Sequence, residues 1–268
     1  MKYYTIQPSS ELSGYVRYFW VLECDISRDQ PYIHRSMADG CAELIFHYQG
    51  RFDELLINGT SEKSFISGIH GQAQKHSRFT INESFGIFGV YLYPYALPKL
   101  FSIPAEEFSN QMVDIASLLG QKGKDLEEQI MLAGDNSQRV KILSAFLKNQ
   151  QNLSSKSSPE IFSSIDYIIQ TKGLINVEAL ADQYTCSVRQ FERKFKEYSG
   201  FSPKLYSRII RFQAALSEYG NTGQSLTEIA YACGYYDQSH FIHDFKEFSG
   251  HHPRHYFLKN GEGTEWRN

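Results

Sequence analysis

The sequence predicts an α+β protein, with an N-terminal β-rich sandwich or barrel with flanking helices followed by an all-α domain of two helix-turn-helix units. Three observations support this. Short apolar runs separated by Gly and Asn fill the first 120 of 268 residues, helical apolar spacing follows them, and one helix–turn–helix segment occurs twice. Hydrophobic residues make up 41% of the chain, a composition typical of globular proteins that excludes a disordered chain.

In residues 1–120, six short apolar runs predict β-strands, which must cover one another to bury their apolar faces. The runs are Arg17–Cys24, Ala42–Tyr48, Leu55–Ile57, Phe65–Ile69, Phe79–Ile81 and Ile87–Tyr93. Trp20, Phe46, Tyr91 and Tyr93 are candidates to line a ligand cavity in this domain. For each of these four residues, a place in an aromatic core is the alternative.

Residues 121–153 are predicted to form a helical connector, because apolar residues take helical spacing from about Pro104 onward. Within Ser137–Leu153, Val140, Leu143 and Leu147 form one apolar stripe. The stripe packs either on its own β-domain or against a second copy of the chain. The polar, Ser-rich residues that follow predict a linker over residues 154–160.

Residues 161–258 contain an internal repeat. A shift of 50 residues aligns Phe191–Tyr206 with Phe241–Tyr256, and eight of the sixteen aligned positions are identical. Upstream of these segments the offset is 49, so the second copy has one extra residue in its turn. Each copy combines a first helix with a small residue on its inner face, a short turn and a second helix with apolar residues, which is the pattern of a helix-turn-helix.

Local signals mark where the second helix of each copy begins and ends. Ser187 is the expected N-cap of the first of them, and Gly200 its stop. Gly234 allows the tight turn in the second copy. The residues expected to form the buried stripe of the first are Val188, Phe191, Phe195 and Tyr198, and those that anchor the second are Phe241, Phe245 and Phe248.

Positive charge is concentrated on one part of the repeat. Seven basic and two acidic residues lie between Arg189 and Arg211, whereas the whole chain has a net charge of −3. Such a local excess is typical of a surface that contacts nucleic acid. The alternative is a pair of core helical hairpins whose charged face is merely solvated.

The segments LADQYTCSVRQFERKFKEYSGFSPKLY and LTEIAYACGYYDQSHFIHDFKEFSGHHPRHYF resemble the AraC/XylS family of bacterial transcription regulators. The resemblance covers about Ile161–Leu258. It implies that both helix-turn-helix units sit on one connecting helix, about Pro203–Tyr219, with their recognition helices in successive major-groove segments on one side of double-stranded DNA. The candidate DNA-contacting residues are Arg189, Gln190, Glu192, Arg193, Lys194, Lys196, Lys204, Arg208, Arg211, Gln238, Ser239, His240, Ile242, His243 and Lys246.

The two recognition helices are expected to be unequal. The second carries acidic Asp237 and Asp244 and apolar Ile242, whereas the first is basic. An arginine forms a bidentate pair with guanine, but a neutral histidine does not. We therefore expect Arg193 to contribute more to base recognition than His243.

The N-terminal segment, about Met1–Leu119, is similar to an uncharacterised domain found ahead of this DNA-binding module in some family members. The resemblance implies a regulatory domain over residues 1–120 and a DNA-binding domain over residues 161–258. It further implies a cytoplasmic, sequence-specific regulator that acts as an activator with RNA polymerase, responds to a small-molecule effector and forms a homodimer. In the family, dimers commonly form through helices of the effector domain, which favours pairing of the 137–153 stripe.

The sequence shows no G-x-S-x-G, P-loop or dinucleotide motif and no apolar run long enough to span a membrane, and we expect no cofactor. The N-terminus lacks the pattern of a secretory signal. His34, His47, His70 and His76 lack metal-ligand spacing, so no metal site is expected. Cys24, Cys41, Cys186 and Cys233 are expected to be reduced thiols.

Two other functions stay open at this point. A cysteine-dependent enzyme, or a DNA-damage-responsive protein on the same DNA-binding module, would use Cys24 or Cys41 as its nucleophile. The third hypothesis is an interaction protein that has lost DNA binding.

Overall fold

The computed structural model describes residues 1–25, 31–153, 159–184, 186–217, 223–258 and 262. In its N-terminal part, two antiparallel sheets pack face to face. The strands of the six-stranded sheet, in spatial order, are β1 (Lys2–Ile6), β2 (Val16–Cys24), β9 (Phe85–Leu92), β4 (Ala42–Gln49), β7 (Ser67–His70) and β10 (Met112–Asp114). Those of the four-stranded sheet are β3 (Tyr32–Ser36), β8 (Ser77–Ile81), β5 (Asp53–Leu55) and β6 (Ser61–Lys63).

Strand β4 shows how alternation separates the two faces of the larger sheet. Leu44 and Phe46 are completely buried against helices, whereas Glu43, Ile45 and His47 point to the other face, toward the smaller sheet. The helices on the outer face are α1 (Ala96–Phe101), α2 (Ile115–Leu119), α3 (Gln121–Leu132) and α4 (Asn136–Leu153).

The apolar stripe of α4 belongs to this intramolecular core. Leu143 and Leu147 are both 0% exposed and lie in one cluster with Phe46, Leu97 and Ile130. The expectation that this stripe pairs with a second copy is therefore wrong, because its own β-domain already covers it. The alternative, packing on that domain, is confirmed.

The described residues of the C-terminal part form seven helices. They are α5 (Pro159–Gln170), α6 (Val177–Gln183), α7 (Val188–Ser199), α8 (Pro203–Leu216), α9 (Leu226–Ala232), α10 (Gln238–Ser249) and α11 (Pro253–Phe257). Helices α7 and α10 both pack on α8, through Phe195 against Tyr206 and Phe245 against Phe212. Helix α8 therefore holds the two units together.

Five of the six predicted strands are present with shifted ends, whereas Leu55–Ile57 shares only Leu55 with β5, because the chain turns at Ile57. Helices α3 and α4 form in the predicted helical connector, residues 121–153. Helical structure throughout the chain after about Pro104 was a wrong expectation, because Met112–Asp114 pairs with β7 as an edge strand. Residues 154–158 of the expected linker, and Tyr219 at the expected end of the connecting helix, lie outside the described residues. Among the helices that are described, none has the length and apolarity needed to cross a membrane.

Candidate nucleic-acid interface and ligand cavity

The first helix-turn-helix unit consists of α6, the turn after it and α7. Ser187 accepts a hydrogen bond from the Gln190 amide, and the Gln190 side chain accepts one in return from the Ser187 N–H, which is a capping box. Gly200 ends the helix in the left-handed region, at φ 84°. Both end signals are confirmed, whereas Val188 is 39% exposed and does not extend the buried stripe.

The outer face of α7 is open to solvent. Arg189, Glu192, Arg193 and Lys194 are all exposed. Lys196, also expected at the DNA, instead pairs with Glu106 of the N-terminal domain at 2.9 Å. Two arginines and a lysine on one exposed helix face are a suitable set for contacts to base edges and phosphates.

The second unit consists of α9, its turn and α10, and its turn is one residue longer, as predicted. Gly234 adopts φ 74° in this turn. Asp237 is the N-cap of α10 and accepts from the His240 N–H at 2.7 Å. The negative charge of Asp237 was expected to weaken DNA contact. Its position at the N-cap means that it stabilises the start of α10.

Arg208 joins α8 to α10. The Arg208 guanidinium lies 2.7 Å from both the Asp244 and the Glu247 carboxylates, and its Nε also donates a hydrogen bond to Asp244. These contacts raise the pKa of Arg208. Asp244 is 0% exposed and Arg208 is 27% exposed. The Asp244 charge therefore points into the fold, and Arg208 is occupied there.

Arg211 and Gln238 are also engaged within the protein. Arg211 donates to the Gly173 carbonyl at 3.2 Å and lies over the Tyr235 ring, and Gln238 accepts a hydrogen bond from the Thr227 hydroxyl at 2.9 Å. The exposed members of the candidate set on α8 and α10 are Lys204, Ser239, His240, His243 and Lys246. Ile242 is partly buried.

One group of described residues brings three potential metal ligands within 4.8 Å of one another, namely His243, Asp244 and Glu247. The sequence did not single out this group. Both carboxylates bind the Arg208 guanidinium, which supplies the positive charge that a metal ion would otherwise supply.

A cavity of about 320 Å³ lies between the two sheets and continues into an apolar extension of about 70 Å³. Five residues line both parts: Trp20, His34, Ser36, Glu43 and His70. The wider part reaches the C-terminal domain at Gln213 on α8. This size and this mixture of rings with a few polar groups are typical of small-molecule sites.

Two of the four predicted lining residues face this cavity, and two do not. Trp20 and Tyr91 line it. Phe46 is 0% exposed in the core under the helices, because its neighbours in β4 alternate between faces. Tyr93 lies beyond the end of β9 and stacks on Tyr95, 5.4 Å between ring centres, toward the C-terminal domain.

The cavity also contains polar residues that the sequence did not single out. Glu43 lies between His70 of β7 and Tyr91 of β9 in the sheet register. Burial and the nearby Asp39 carboxylate raise the pKa of Glu43 to about 8, and burial lowers the pKa of His70 to about 4. The available signal was the alternation of polar Glu43 and His47 with apolar Leu44 and Phe46 in one strand.

The segment Ser36–Cys41 lies between this cavity and the helix-turn-helix units. Ser36, Met37, Asp39 and Cys41 line the cavity. From the same segment, the Ala38 N–H donates to the Phe248 carbonyl of α10 at 2.9 Å, and the Gln213 amide of α8 donates to the Ala38 carbonyl. A side chain at Gly40 would come within 2.7 Å of the Tyr206 ring, so glycine allows this close approach.

The four cysteines are free thiols. Cys41, one of the two candidate nucleophiles, is fully buried, and burial raises its pKa to about 12 in spite of the adjacent Arg17. At neutral pH this thiol is protonated and therefore a poor nucleophile. Cys24 is buried beside the Asp25 carbonyl.

Comparison with known proteins agrees with this division of the chain. Residues 180–259 match the family model described as a helix-turn-helix domain. The transcriptional activator RhaS of Escherichia coli O9:H4 (strain HS) is 34% identical over 80 residues, which are 30% of this chain and 29% of RhaS. The C-terminal domain belongs to the AraC/XylS family. This AraC/XylS domain comprises both units, with α8 between them.

The N-terminal part matches a second family model, a domain of unknown function (DUF6597), over residues 4–114. A solved structure of ToxT from Vibrio cholerae shares the overall fold, with a TM-score of 0.50 and 13% identity, and the likeness covers 90% of this chain and 98% of ToxT. The predicted fold class, a β-rich domain followed by an all-α domain with two helix-turn-helix units, is confirmed.

Proposed function

We propose that this protein is a sequence-specific, DNA-binding transcription regulator, and that a small molecule bound between its two sheets controls the DNA-binding domain. The observation that carries the proposal is the pair of recognition helices, α7 and α10, fixed on one connecting helix with Arg189, Arg193 and Lys194 exposed on the first. Helices of this kind enter the major groove and present side chains to base edges.

Base contacts come from the exposed members of the candidate set. On α7 these are Arg189, Glu192 and Arg193, and on α10 they are Ser239, His240 and His243. Gln190 contacts DNA only through its side-chain NH2 group, because its side-chain oxygen accepts the Ser187 N–H in the capping box. Phosphate contacts come from long, exposed cations that form no salt bridge within the described part of the chain: Lys194, Lys204 and Lys246.

Arg208 and Arg211 act differently in this proposal. Arg208 neutralises the buried Asp244 carboxylate and Arg211 binds the Gly173 carbonyl, so both position the helices instead of contacting phosphate. Lys196 contacts DNA only after it leaves Glu106. The Glu106 carboxylate of the N-terminal domain therefore competes with DNA for Lys196 of the first unit.

Control by an effector follows from the position of the cavity. A ligand there touches Met37 and Asp39, and the residue between them is hydrogen-bonded to α8 and to the end of α10. Gln213 of α8 lines the cavity as well. A change in this segment therefore acts on the connecting helix and on the second unit, which set the spacing of the recognition helices.

Activation, contact with RNA polymerase, a cytoplasmic location and homodimer formation are further parts of the proposal. The relative RhaS is a transcriptional activator by name, which supports the first of these. The homodimer rests on the family resemblance, and its interface is not the buried Leu143–Leu147 stripe. Sedimentation equilibrium of the full chain measures the oligomeric state directly.

The experiment that tests the central proposal is selection of binding sites from a random DNA library, followed by fluorescence anisotropy on the selected duplex. We expect two short half-sites about one helical turn apart. A specific duplex should bind at least ~10³-fold more tightly than a scrambled duplex at the same salt concentration. Equal binding to both duplexes would contradict the proposal, and rapid iodoacetamide labelling of native Cys24 or Cys41 would favour the thiol enzyme instead.

A further inference from the structure

A partly buried carboxylate, that of Glu43, lines the cavity between the sheets. Glu43 lines both the wider part and the apolar extension, and it forms no salt bridge within the described part of the chain. Arg35 is the only arginine or lysine among the lining residues, and its guanidinium is bound by Glu262 at 2.7 Å and the Ser249 carbonyl at 3.3 Å. The cavity thus holds a carboxylate for which the described residues supply no counterion.

The protonation of Glu43 reflects this shortage. With a pKa of about 8, raised by burial and by the Asp39 carboxylate, Glu43 keeps a proton at neutral pH. The Trp20 indole N–H is buried without a hydrogen-bond partner among the described residues, and its proximity to Glu43 lowers the pKa of that carboxyl, which favours the ionised form. A bound cation would replace the proton and supply the opposite charge that favours the ionised carboxylate.

The walls around Glu43 are flat and aromatic. The Trp20 indole packs over Gly89, where a side-chain Cβ would come within 2.5 Å of the ring. Tyr18 and Tyr91 stack 5.0 Å apart on the same lining surface. The extension beyond Glu43 is lined largely by apolar side chains, including Phe52, Phe79, Ile87 and Met112. Aromatic faces attract cations, and an apolar extension accommodates a ring.

Two other ligand classes fit the cavity less well. An anion would need a positive charge, but burial keeps the pKa of His70 at about 4, so this imidazole is neutral at pH 7. A metal ion would need convergent ligands, but His34, Glu43 and His70 do not place three ligand atoms within 4.8 Å of one another.

We propose that the cavity binds an organic cation with a flat apolar part, and that Glu43 is its counterion. The cationic group lies against the Glu43 carboxylate and the Trp20 ring, and the apolar part enters the extension near Phe52 and Phe79. The proposal rests on the effector function proposed above, because it names the ligand class for the same cavity.

Three compounds of nearly identical shape test the ligand class by isothermal titration calorimetry of the full chain: benzamidine, a cation; benzamide, neutral; and benzoate, an anion. We expect benzamidine to bind at least tenfold more tightly than benzamide, and benzoate to bind least. Equal affinities, tighter binding of benzoate, or no binding of benzamidine at 20 mM would overturn the proposal.

Proton release gives a second measurement on the wild-type protein. At pH 7 we expect about one proton to be released for each benzamidine bound, and an affinity that rises up to tenfold per pH unit between about pH 6 and 7. Titration in buffers of different ionisation enthalpy counts the protons; uptake or no exchange would contradict the role of Glu43. The other titratable or charged residues that line the cavity and its extension are Tyr3, Tyr18, His34, Arg35, Asp39, Cys41, His47, His70 and Tyr91.

The variant Glu43→Gln keeps the size of the side chain and removes its charge. We expect it to lose the preference for benzamidine over benzamide and the proton release. Glu54→Gln on β5, outside the cavity lining, is the matched control and should bind as wild type. Benzamidine binding without any effect on DNA affinity would refute only the effector function, whereas a neutral or anionic compound that binds preferentially and changes DNA affinity would refute only the ligand class.

Discussion

The two helix-turn-helix units have the same local architecture but use their charges differently. In the first unit, Arg189, Arg193 and Lys194 project from α7 into solvent. In the second, acidic side chains bind partners within the protein: Asp237 caps α10, and Asp244 forms a salt bridge with Arg208. A repeat that is clear in the sequence thus produces one open basic surface and one internally compensated surface.

The units also differ in how the N-terminal domain holds them. The first is held through Lys196 on Glu106 and through the Ser109 hydroxyl on the Gly200 carbonyl, away from the cavity. The second, together with α8, is held through Ala38 in the segment that lines the cavity. We infer that the first unit supplies most of the DNA affinity and that the second is the one that responds to a ligand.

The largest difference is expected between base-contacting residues of the two units. Arg193→Ala should weaken binding to the selected duplex by about 10- to 100-fold, because a bidentate Arg–guanine pair contributes ~1–3 kcal/mol. His243→Ala should weaken it by only about threefold at pH 7.5. Anisotropy titrations of both variants at one salt concentration measure this, and equal losses would remove the asymmetry.

Arg208 tests the internal compensation of the second unit. Arg208→Ala leaves the Asp244 carboxylate buried without its cation and should lower the free energy of unfolding of the DNA-binding domain by about 1–3 kcal/mol, less than for a fully enclosed pair because Arg208 is partly exposed. Urea unfolding followed by far-UV circular dichroism measures it.

Lys204 on the same helix is the matched control for Arg208, since it is exposed and Lys204→Ala should leave stability within about 0.5 kcal/mol of wild type. If Arg208→Ala is equally neutral, the salt bridges to Asp244 and Glu247 do not stabilise the second unit.

Salt dependence distinguishes free cations from paired ones. If pairing is ignored, contacts from five cations predict a slope of log K against log salt of roughly −4 to −5. These five are Lys194, Lys196, Lys204, Arg208 and Arg211. Lys196, Arg208 and Arg211 are engaged within the protein, so the three phosphate contacts that remain, Lys194, Lys204 and Lys246, predict a slope of about −2.7. Lys204→Ala should reduce its magnitude by about 1. An unchanged slope in that variant would show that Lys204 does not contact phosphate.

The smallest expected effect concerns the Glu106–Lys196 salt bridge. Glu106→Gln frees Lys196 for DNA and should raise affinity about two- to threefold, because partly exposed salt bridges contribute ~0–1 kcal/mol. Glu107→Gln makes the same charge change at an exposed neighbour and is the control. Similar gains in both variants would indicate a general charge effect and not release of Lys196.

Most of the C-terminal domain was predictable because its signals are local. Ser187 and Gly200 mark the ends of α7 by backbone chemistry that needs no distant partner. The salt-bridge partners of Arg208 were not predictable from helix α8 alone, because they lie 36 and 39 residues further along the chain. For the same reason, counting exposed charges on α10 overstated its negative surface.

The N-terminal domain was harder to predict in detail. Alternation identified β4, but not that Glu43 would share a cavity with His34 and His70, because those residues come from strands in two different sheets. The apolar runs in the sequence did not predict strands β1 and β6, because edge strands carry little apolar pattern. Strand β6, Ser61–Lys63, is entirely exposed.

The asymmetry of the two units is tested most directly by measuring the binding of every single-base variant of the selected site to wild type, Arg193→Ala and His243→Ala. The account predicts that Arg193→Ala abolishes base preference at one or two positions in one half-site. His243→Ala should leave the preference profile nearly unchanged. Loss of base preference in the other half-site on His243→Ala, with Arg193→Ala silent, would contradict the account and make α10 the principal recognition helix.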